Sequence, residues 1–191
     1  MSTLPTRDLE REWMSGVHAG RLDVFEVVFE AYAHRLQHFA QLWVTHDVAE
    51  DIVQDVLFDV WQRRAALDPQ RGNLTAYLFS AVRNRAADYV RHMRVVERVE
   101  DNPNPDSPPG MGTGSTSPDA HVIVDDMWTA VDSALNALSD LQRAALMLHW
   151  GQDMSVAQVA GALSISENAA KLHIRRGRQT LSPILRFLLD E

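Results

Sequence analysis

The chain has 191 residues, no cysteine and a formal net charge of -8. The missing thiols exclude disulfides, thiolate zinc sites and thiol-based redox sensing. No run of about 18 apolar residues occurs, and the first residues lack the cationic and apolar segments of a leader peptide. We therefore expect a soluble, cytoplasmic protein without direct membrane insertion.

The negative total conceals an alternation of charge along the chain. Residues 1–61 carry 4 Arg and 11 acidic residues, whereas residues 62–98 carry 8 Arg and 3 acidic residues. Residues 99–142 hold 8 acidic residues and no Lys or Arg, and residues 143–191 hold 6 basic and 4 acidic residues. Two basic blocks between acidic ones indicate separate surfaces for separate partners, although a solvated helix face is the ordinary alternative for any one block.

The first part of the chain predicts amphipathic helices. Apolar residues recur at steps of three and four from Leu22 to Ala40, which is typical of a helix that buries one face. We interpret Asp47 with Glu50 as the capping box of a second helix. The apolar residues of that helix share one face: Ile52, Val53, Val56, Leu57, Val60 and Trp61.

Turn-forming residues 68–73 precede a third predicted helix, which is rich in arginine and contains Tyr77, Phe79 and Tyr89. Aromatic rings beside arginines suit single-stranded nucleic acid, because bases stack on the rings while guanidinium groups follow the phosphates. The alternative is that these rings belong to the core. Tyr77 and Phe79 cannot face the same way on one helix, so at least one is expected to be accessible.

Residues 102–118 hold five Pro, three Gly and three Ser and predict a flexible linker. Beyond the linker, Ser139 with Gln142 and Ser155 with Gln158 predict capping boxes. A turn at residues 164–166, with Ser166 as N-cap, leads into a basic helix; this pattern predicts a helix-turn-helix, with an ordinary helical hairpin as the alternative. Pro183 is predicted to interrupt the last helix.

Catalytic patterns are absent from the sequence, and we predict that the protein is not an enzyme. We find no Ser/His/Asp arrangement and no glycine-rich phosphate loop. His34 and His38 stand one helical turn apart, but no third ligand at a suitable spacing accompanies them. No cofactor and no metal are therefore expected.

Three stretches in a fixed order resemble a bacterial sigma factor. They are "AEDIVQDVLFDVWQRR", "LDPQRGNLTAYLFSAVRNRAADYVR" and, beyond the linker, "LSDLQRAALML" followed by "MSVAQVAGALSISENAAKLHIRRGRQTL". Together they are similar to the extracytoplasmic-function (ECF) group of the sigma-70 family. The resemblance implies an all-α fold of two small helical domains. Residues 1–98 would be a domain like sigma region 2, residues 99–121 a flexible linker, and residues 122–191 a domain like sigma region 4 with the helix-turn-helix.

The resemblance also implies partners and the residues that bind them. In this family an acidic helix docks on core RNA polymerase. The resemblance implies that the residues of this chain at that interface are Asp51, Gln54, Asp55, Phe58 and Asp59. The melted -10 element would be bound by Asp68, Arg71, Gly72, Asn73, Leu74, Tyr77, Phe79, Arg83, Asn84 and Arg91. The duplex -35 element would be read by Asn168, Lys171, Leu172, Arg175, Arg176 and Arg178. Leu172 would either contact a thymine methyl group or be buried.

An anti-sigma factor is a further partner that the resemblance implies. Two other functions stay open at this point. One is a sigma mimic that sequesters an anti-sigma factor, although the arginines of both basic blocks argue against it. The other is a stand-alone helix-turn-helix regulator, for which the acidic helix would be superfluous.

Overall fold

The structure, a computed structural model, describes residues 5–69, 73–100 and 136–189, with side chains up to residue 95 in the second range and up to residue 182 in the third. The regular elements of these ranges are helical and fall into two groups. The first group comprises α1 (Arg7–His18), α2 (Leu22–Ala40), α3 (His46–Gln62), a 3-10 turn (Arg64–Ala66) and α4 (Leu74–Glu100). The second comprises α5 (Asp140–Leu146), a π-helical turn (Met147–Gly151), α6 (Val156–Leu163) and α7 (Glu167–Leu189).

The predicted all-α fold, with one group of helices on each side of the predicted linker, is confirmed within the described ranges. The predicted linker begins inside α4, since this helix continues to Glu100, and residues 101–135 lie outside the described residues. Within the described ranges no helix combines the length and the hydropathy needed to cross a bilayer.

Helix α1 was not predicted from the sequence. Thr6 caps it by accepting a hydrogen bond from the backbone N–H of Leu9 (3.4 Å), and Met14 and Val17 are buried against the rest of the first group. The inward stripe of α1 also includes Glu10, which is only 2% exposed. A buried carboxylate requires hydrogen-bond donors, and the hydroxyls of Thr75 and Tyr32 supply them.

The buried faces of α2 and α3 largely follow the predicted stripes. In α3, Ile52, Val53, Val56, Leu57 and Val60 are buried as expected. The capping box that we predicted at Asp47 is wrong. The helix begins one residue earlier, at His46, and its N-cap Thr45 makes no side-chain capping bond. Asp47 instead lies in the first turn, where the positive end of the helix dipole stabilises its negative charge.

The second group is organised by caps that the sequence predicted correctly. Ser139 and Gln142 form a complete capping box at α5, and Ser155 and Gln158 form another at α6. Ser166 caps α7 by accepting a hydrogen bond from the N–H of Ala169 (3.2 Å). These short-range bonds satisfy donors that the first turns would otherwise leave unpaired.

The turn of the helix-turn-helix contains Ser164 in the left-handed conformation (φ 52°, ψ 43°). This conformation ends α6 and aims the chain into α7, which packs closely on α5. A Cβ atom added at Gly177 would lie 2.6 Å from Leu146 Cδ1, so the absence of a side chain there permits the close approach.

The prediction that Pro183 interrupts the last helix is wrong, because α7 continues to Leu189. The fixed φ of proline is compatible with a helix, and its missing N–H removes one hydrogen bond of the ladder, so the helix can pass through at a local cost of about 3 kcal/mol.

The two groups of helices also pack on each other. Helix α6 lies against α4, and the buried apolar residues of both groups form one continuous cluster. Arg35 of α2 donates a hydrogen bond to Gln152 across the same boundary (3.3 Å). The relative position of the domains is therefore a property of the tertiary structure that the sequence did not predict.

Candidate functional site

The polar side of α3 forms an exposed acidic face. We use this name for the residues that were expected to meet polymerase: Asp51, Gln54, Asp55, Phe58 and Asp59. All are exposed except Asp59, which is half-buried, and the Phe58 side chain is 59% exposed. Phe29 of α2 is also exposed (40%) and lines the same groove as Phe58, so the two rings form an apolar patch of the kind that marks an interaction surface.

A groove beside the acidic face runs between α2 and α3. Its walls are Phe25, Phe29, Leu57 and Phe58, with Gln54 and Asp55 at the edge. Asp55 pairs with Arg85 of α4 at 2.9 Å, and this hydrogen bond raises the pKa of the exposed Arg85 guanidinium. Gln54, Asp55 and Phe58 were expected on the outer face of α3, and Leu57 on its buried face, whereas the phenylalanines of α2 come to the groove through helix packing.

The start of α4 is held by a buried polar cluster that the sequence analysis missed. Thr75 donates a short hydrogen bond to the Glu10 carboxylate, and Tyr32 lies 2.6 Å from the Thr75 hydroxyl and 3.4 Å from Glu10. Burial raises the pKa of Tyr32, so its hydroxyl stays protonated and available as a donor. The sequence did contain a signal for this cluster. Glu10 shares the helical spacing of Trp13, Met14 and Val17, which places it on the inward face of α1.

Asn73, the residue before α4, also has a structural role. The side-chain oxygen of Asn73 accepts a hydrogen bond from the N–H of Ala76 (2.8 Å) and so caps the helix. Arg71 and Gly72, which were expected to line a -10 site with it, lie outside the described residues. Asp68 is described and is exposed.

Two residues expected to bind -10 DNA belong to the core instead. Phe79 is fully buried, with its ring 5.0 Å from that of Phe39, and Leu74 is 1% exposed. The physical reason is that α4 contacts α1, α2 and α3, so most of its apolar residues are needed inside. Tyr77 is 46% exposed and is therefore the aromatic residue that a base can reach.

The polar candidates of α4 differ in their surroundings. Asn84 is exposed, and Arg91 is exposed while paired with Asp88 at 2.8 Å. Arg83 is half-buried, and its guanidinium donates a 2.6 Å hydrogen bond to the carbonyl oxygen of Leu163, the last residue of α6. The basic block of the sequence is thus divided between open surface and a contact with the other domain.

Helix α7 presents its candidate residues together. Every residue expected to read the -35 element is exposed: Asn168, Lys171, Leu172, Arg175, Arg176 and Arg178. Ala170 is buried and Ile174 packs against the core, which turns the other side of the helix outward. Leu172, whose position the sequence left open, is 43% exposed.

The histidine pair forms no larger cluster within the described residues. The Nε2 atoms of His34 and His38 lie 3.2 Å apart on an exposed part of α2. The described ranges contain no group of three His, Asp or Glu side chains arranged to hold a metal ion.

Comparisons with known proteins agree with this arrangement of helices. The family model for sigma-70 region 2 matches residues 28–95, and the model for sigma-70 region 4 matches residues 128–181. Among curated proteins, the ECF RNA polymerase sigma factor SigK of Mycolicibacterium vanbaalenii is 30% identical over 142 residues, covering 72% of this chain and 68% of the relative. SigK of Mycobacterium sp. (strain KMS) is 28% identical over 143 residues, covering 72% and 69%.

Solved structures share the fold. The sigma factor RpoE of Bartonella quintana, in complex with the anti-sigma factor NepR, matches with a TM-score of 0.61 and 26% identity, covering 85% of this chain and 96% of that one. CnrH in complex with the cytosolic domain of CnrY matches with a TM-score of 0.64 and 22% identity, covering 93% and 97%. The chain described here belongs to the ECF sigma factors of the sigma-70 family.

Proposed function

We propose that this protein binds core RNA polymerase and directs it to promoters through a duplex -35 element and a melted -10 strand. The observation that carries the proposal is the helix-turn-helix, in which an N-capped helix exposes four cations and two further candidate residues on one described surface. Recognition helices of this motif enter the major groove, with early residues at base edges and later cations near phosphates.

The -35 element would be read by α7. Asn168 and Lys171 lie in its first turns, from which side chains would reach base edges, and Arg175 and Arg176 follow about one turn later, where cations would approach the phosphates. The exposed Leu172 suits a thymine methyl group, which is an apolar feature of the major groove. Arg178 extends the cationic side of the helix.

The -10 element would be bound as a single strand by α4 and the segment before it. Tyr77 offers a stacking platform, and Asn84 and Arg91 supply exposed polar contacts further along the helix. A stacked base is worth about 1–3 kcal/mol, which offsets the cost of unstacking it from the duplex. Asp68, Arg71, Gly72 and Asn73 would line the path of the strand.

The acidic face of α3 would dock on polymerase, with Phe58 inserting into an apolar site of the partner. Charge reversal by Asp51→Arg is the sharpest variant, because Asp51 is exposed and, unlike Asp55, is not paired with Arg85. The matched control is Glu30→Arg, which makes the same change on an exposed position of α2. We expect Asp51→Arg to weaken polymerase binding and Glu30→Arg to leave it near that of wild type.

An anti-sigma factor is proposed as a regulatory partner. The support is that the similar RpoE structure of Bartonella quintana holds an anti-sigma factor. Such a partner would lower transcript yield in a reconstituted assay, and excess core polymerase would restore it if both compete for one surface.

The deciding experiment is run-off transcription from a promoter library with core polymerase, with and without this protein. Transcripts that share a pair of -35 and -10 elements would support the proposal and supply the promoter sequence. Polymerase binding without transcripts would favour a sigma mimic. Duplex binding without any polymerase binding would favour a stand-alone helix-turn-helix regulator.

A further inference from the structure

Two exposed histidines on α2 belong to none of the surfaces described above. His34 and His38 are one helical turn apart, so their side chains extend from the same side of the helix. Both residues are exposed, and their Nε2 atoms lie 3.2 Å apart, closer than the two ring centres at 4.4 Å. The two nitrogens are therefore turned toward each other on a surface that water and ions reach.

The helix beneath the histidine pair is held firmly by the core. Tyr32, Leu36 and Phe39 of α2 are fully buried in the first group of helices. Their packing sets the rotation of α2 about its axis, so both imidazoles stay on its solvent side. A binding site on a packed helix keeps its geometry better than one on a loop.

The separation of the two nitrogens matches that of a metal chelate. Zinc–imidazole bonds are about 2.0–2.1 Å long, and two such bonds to nitrogens 3.2 Å apart enclose an angle of about 100° at the ion. This angle lies between about 90° for square-planar or octahedral coordination and about 109° for tetrahedral coordination. Both histidines can therefore bind one ion with little movement of either side chain.

The contact between the two rings is a hydrogen bond that a metal ion can replace. In a neutral pair the Nε2–H of one ring donates and the Nε2 of the other accepts. When the donor ring carries its proton on Nδ1 instead, both Nε2 lone pairs are available to the ion. This step is a change of tautomer and releases no proton.

The surroundings of the histidine pair favour a cation with open coordination positions. Glu30 lies one turn before His34 on the same exposed side of α2, and its carboxylate contributes negative potential there. No third His, Asp or Glu of the described ranges completes the set. We predicted no metal from the sequence because this third ligand is missing. Two imidazoles nevertheless suffice for a site in which water fills the remaining positions.

We propose that His34 and His38 form a two-ligand surface site for a divalent transition-metal ion of the kind that imidazole prefers, namely Cu²⁺, Ni²⁺ or Zn²⁺. Mg²⁺ and Ca²⁺ prefer oxygen ligands and should not bind there. The site is separate from the groove between α2 and α3, because His34 follows Phe25 by about two and a half turns and lies on the opposite side of the helix. The inference does not rest on the proposed function, since metal binding needs neither polymerase nor DNA.

Calorimetric titration of the protein without a histidine tag tests the proposal, with Cu²⁺ and Zn²⁺ as separate probes. We expect His38→Gln to weaken binding of the tightest ion by about tenfold or more, because the second imidazole no longer binds intramolecularly. His18→Gln makes the same substitution at an exposed histidine of α1 and should leave the affinity within about twofold. Equal losses in the two variants, or no binding by the wild type, would overturn the proposal.

A second variant keeps the number of histidines and changes only their spacing. His38→Gln combined with Val27→His places the two imidazoles about 10 Å apart along the helix, which is too far for one ion. Val27 is 46% exposed, so this change leaves the core intact. We expect the spacing variant to bind as weakly as His38→Gln alone, and wild-type affinity in it would contradict the site.

Electron paramagnetic resonance of the Cu²⁺-loaded proteins provides a readout of the ligands themselves. The wild type should show two imidazole nitrogens bound to the ion, whereas His38→Gln and the spacing variant should show one fewer. Identical spectra for the wild type and His38→Gln would place the ion elsewhere on the chain and overturn the proposal.

Discussion

Helices α4 and α7 carry similar chemistry in different settings. Helix α7 packs on α5 and α6 and has its six candidate residues exposed, whereas α4 contacts α1, α2, α3 and α6 and divides its candidates between core, surface and interdomain contact. The comparison shows that an aromatic or basic residue near a binding motif can contact DNA only where helix packing does not bury it. Each of the following changes tests one part of this difference.

The largest expected effect is on the stability of the first domain. Phe79→Ala removes a fully buried ring that stacks edge to face on Phe39, and the free energy of unfolding should fall by about 3–5 kcal/mol. Tyr77→Ala, two residues away on the exposed side, should change stability little and weaken binding of single-stranded -10 DNA. Urea denaturation and fluorescence anisotropy measure the two effects. A stable Phe79→Ala protein that loses only strand binding would return Phe79 to the DNA surface.

The second change removes the buried carboxylate under α4. In Glu10→Ala, Tyr32 can still donate to Thr75, but the Thr75 hydroxyl loses its acceptor, so stability should fall by about 1–3 kcal/mol. Glu10→Gln keeps an acceptor oxygen and should cost less. Thermal unfolding of the two variants provides the measurement, and equal losses would show that charge rather than hydrogen bonding matters.

The third change addresses the open surface of α7. Arg175→Ala should weaken binding to -35 duplex DNA by about 1–3 kcal/mol for a base contact, or lower the salt slope by about 1 for a phosphate contact. Titrations at several salt concentrations separate these roles. Arg11→Ala is the charge-matched control, since Arg11 is exposed on α1. Equal effects of both substitutions would mean that only total charge counts.

The smallest expected effect concerns the start of α7. Ser166→Ala removes the acceptor of the Ala169 N–H and should destabilise the second domain by about 1 kcal/mol. Ser166→Gly should lower the free energy of unfolding by only about a few tenths of a kcal/mol, because glycine leaves the N–H exposed to water. Chemical denaturation followed by circular dichroism distinguishes the two, and an unchanged midpoint in Ser166→Ala would show that tertiary packing alone starts the helix.

The sequence by itself determined the features that depend on neighbours within about four residues. Helical periodicity marked the buried face of α3, and the capping boxes at Ser139 and Ser155 and the N-cap at Ser166 lie where their spacing predicted. The outward side of α7 followed from the same local rules, because a helix that buries Ala170 must present its cations elsewhere.

Only the tertiary structure decided which of these residues are used in packing. The choice of Tyr77 over Phe79 as the exposed ring depends on what surrounds α4, and the pairing of Glu10 with Thr75 joins residues 65 positions apart. The docking of α6 on α4 through Arg83 likewise links separate domains. Burial and long-range hydrogen bonds depend on which helices pack against each other. The spacing of residues along the chain does not specify those helix pairs.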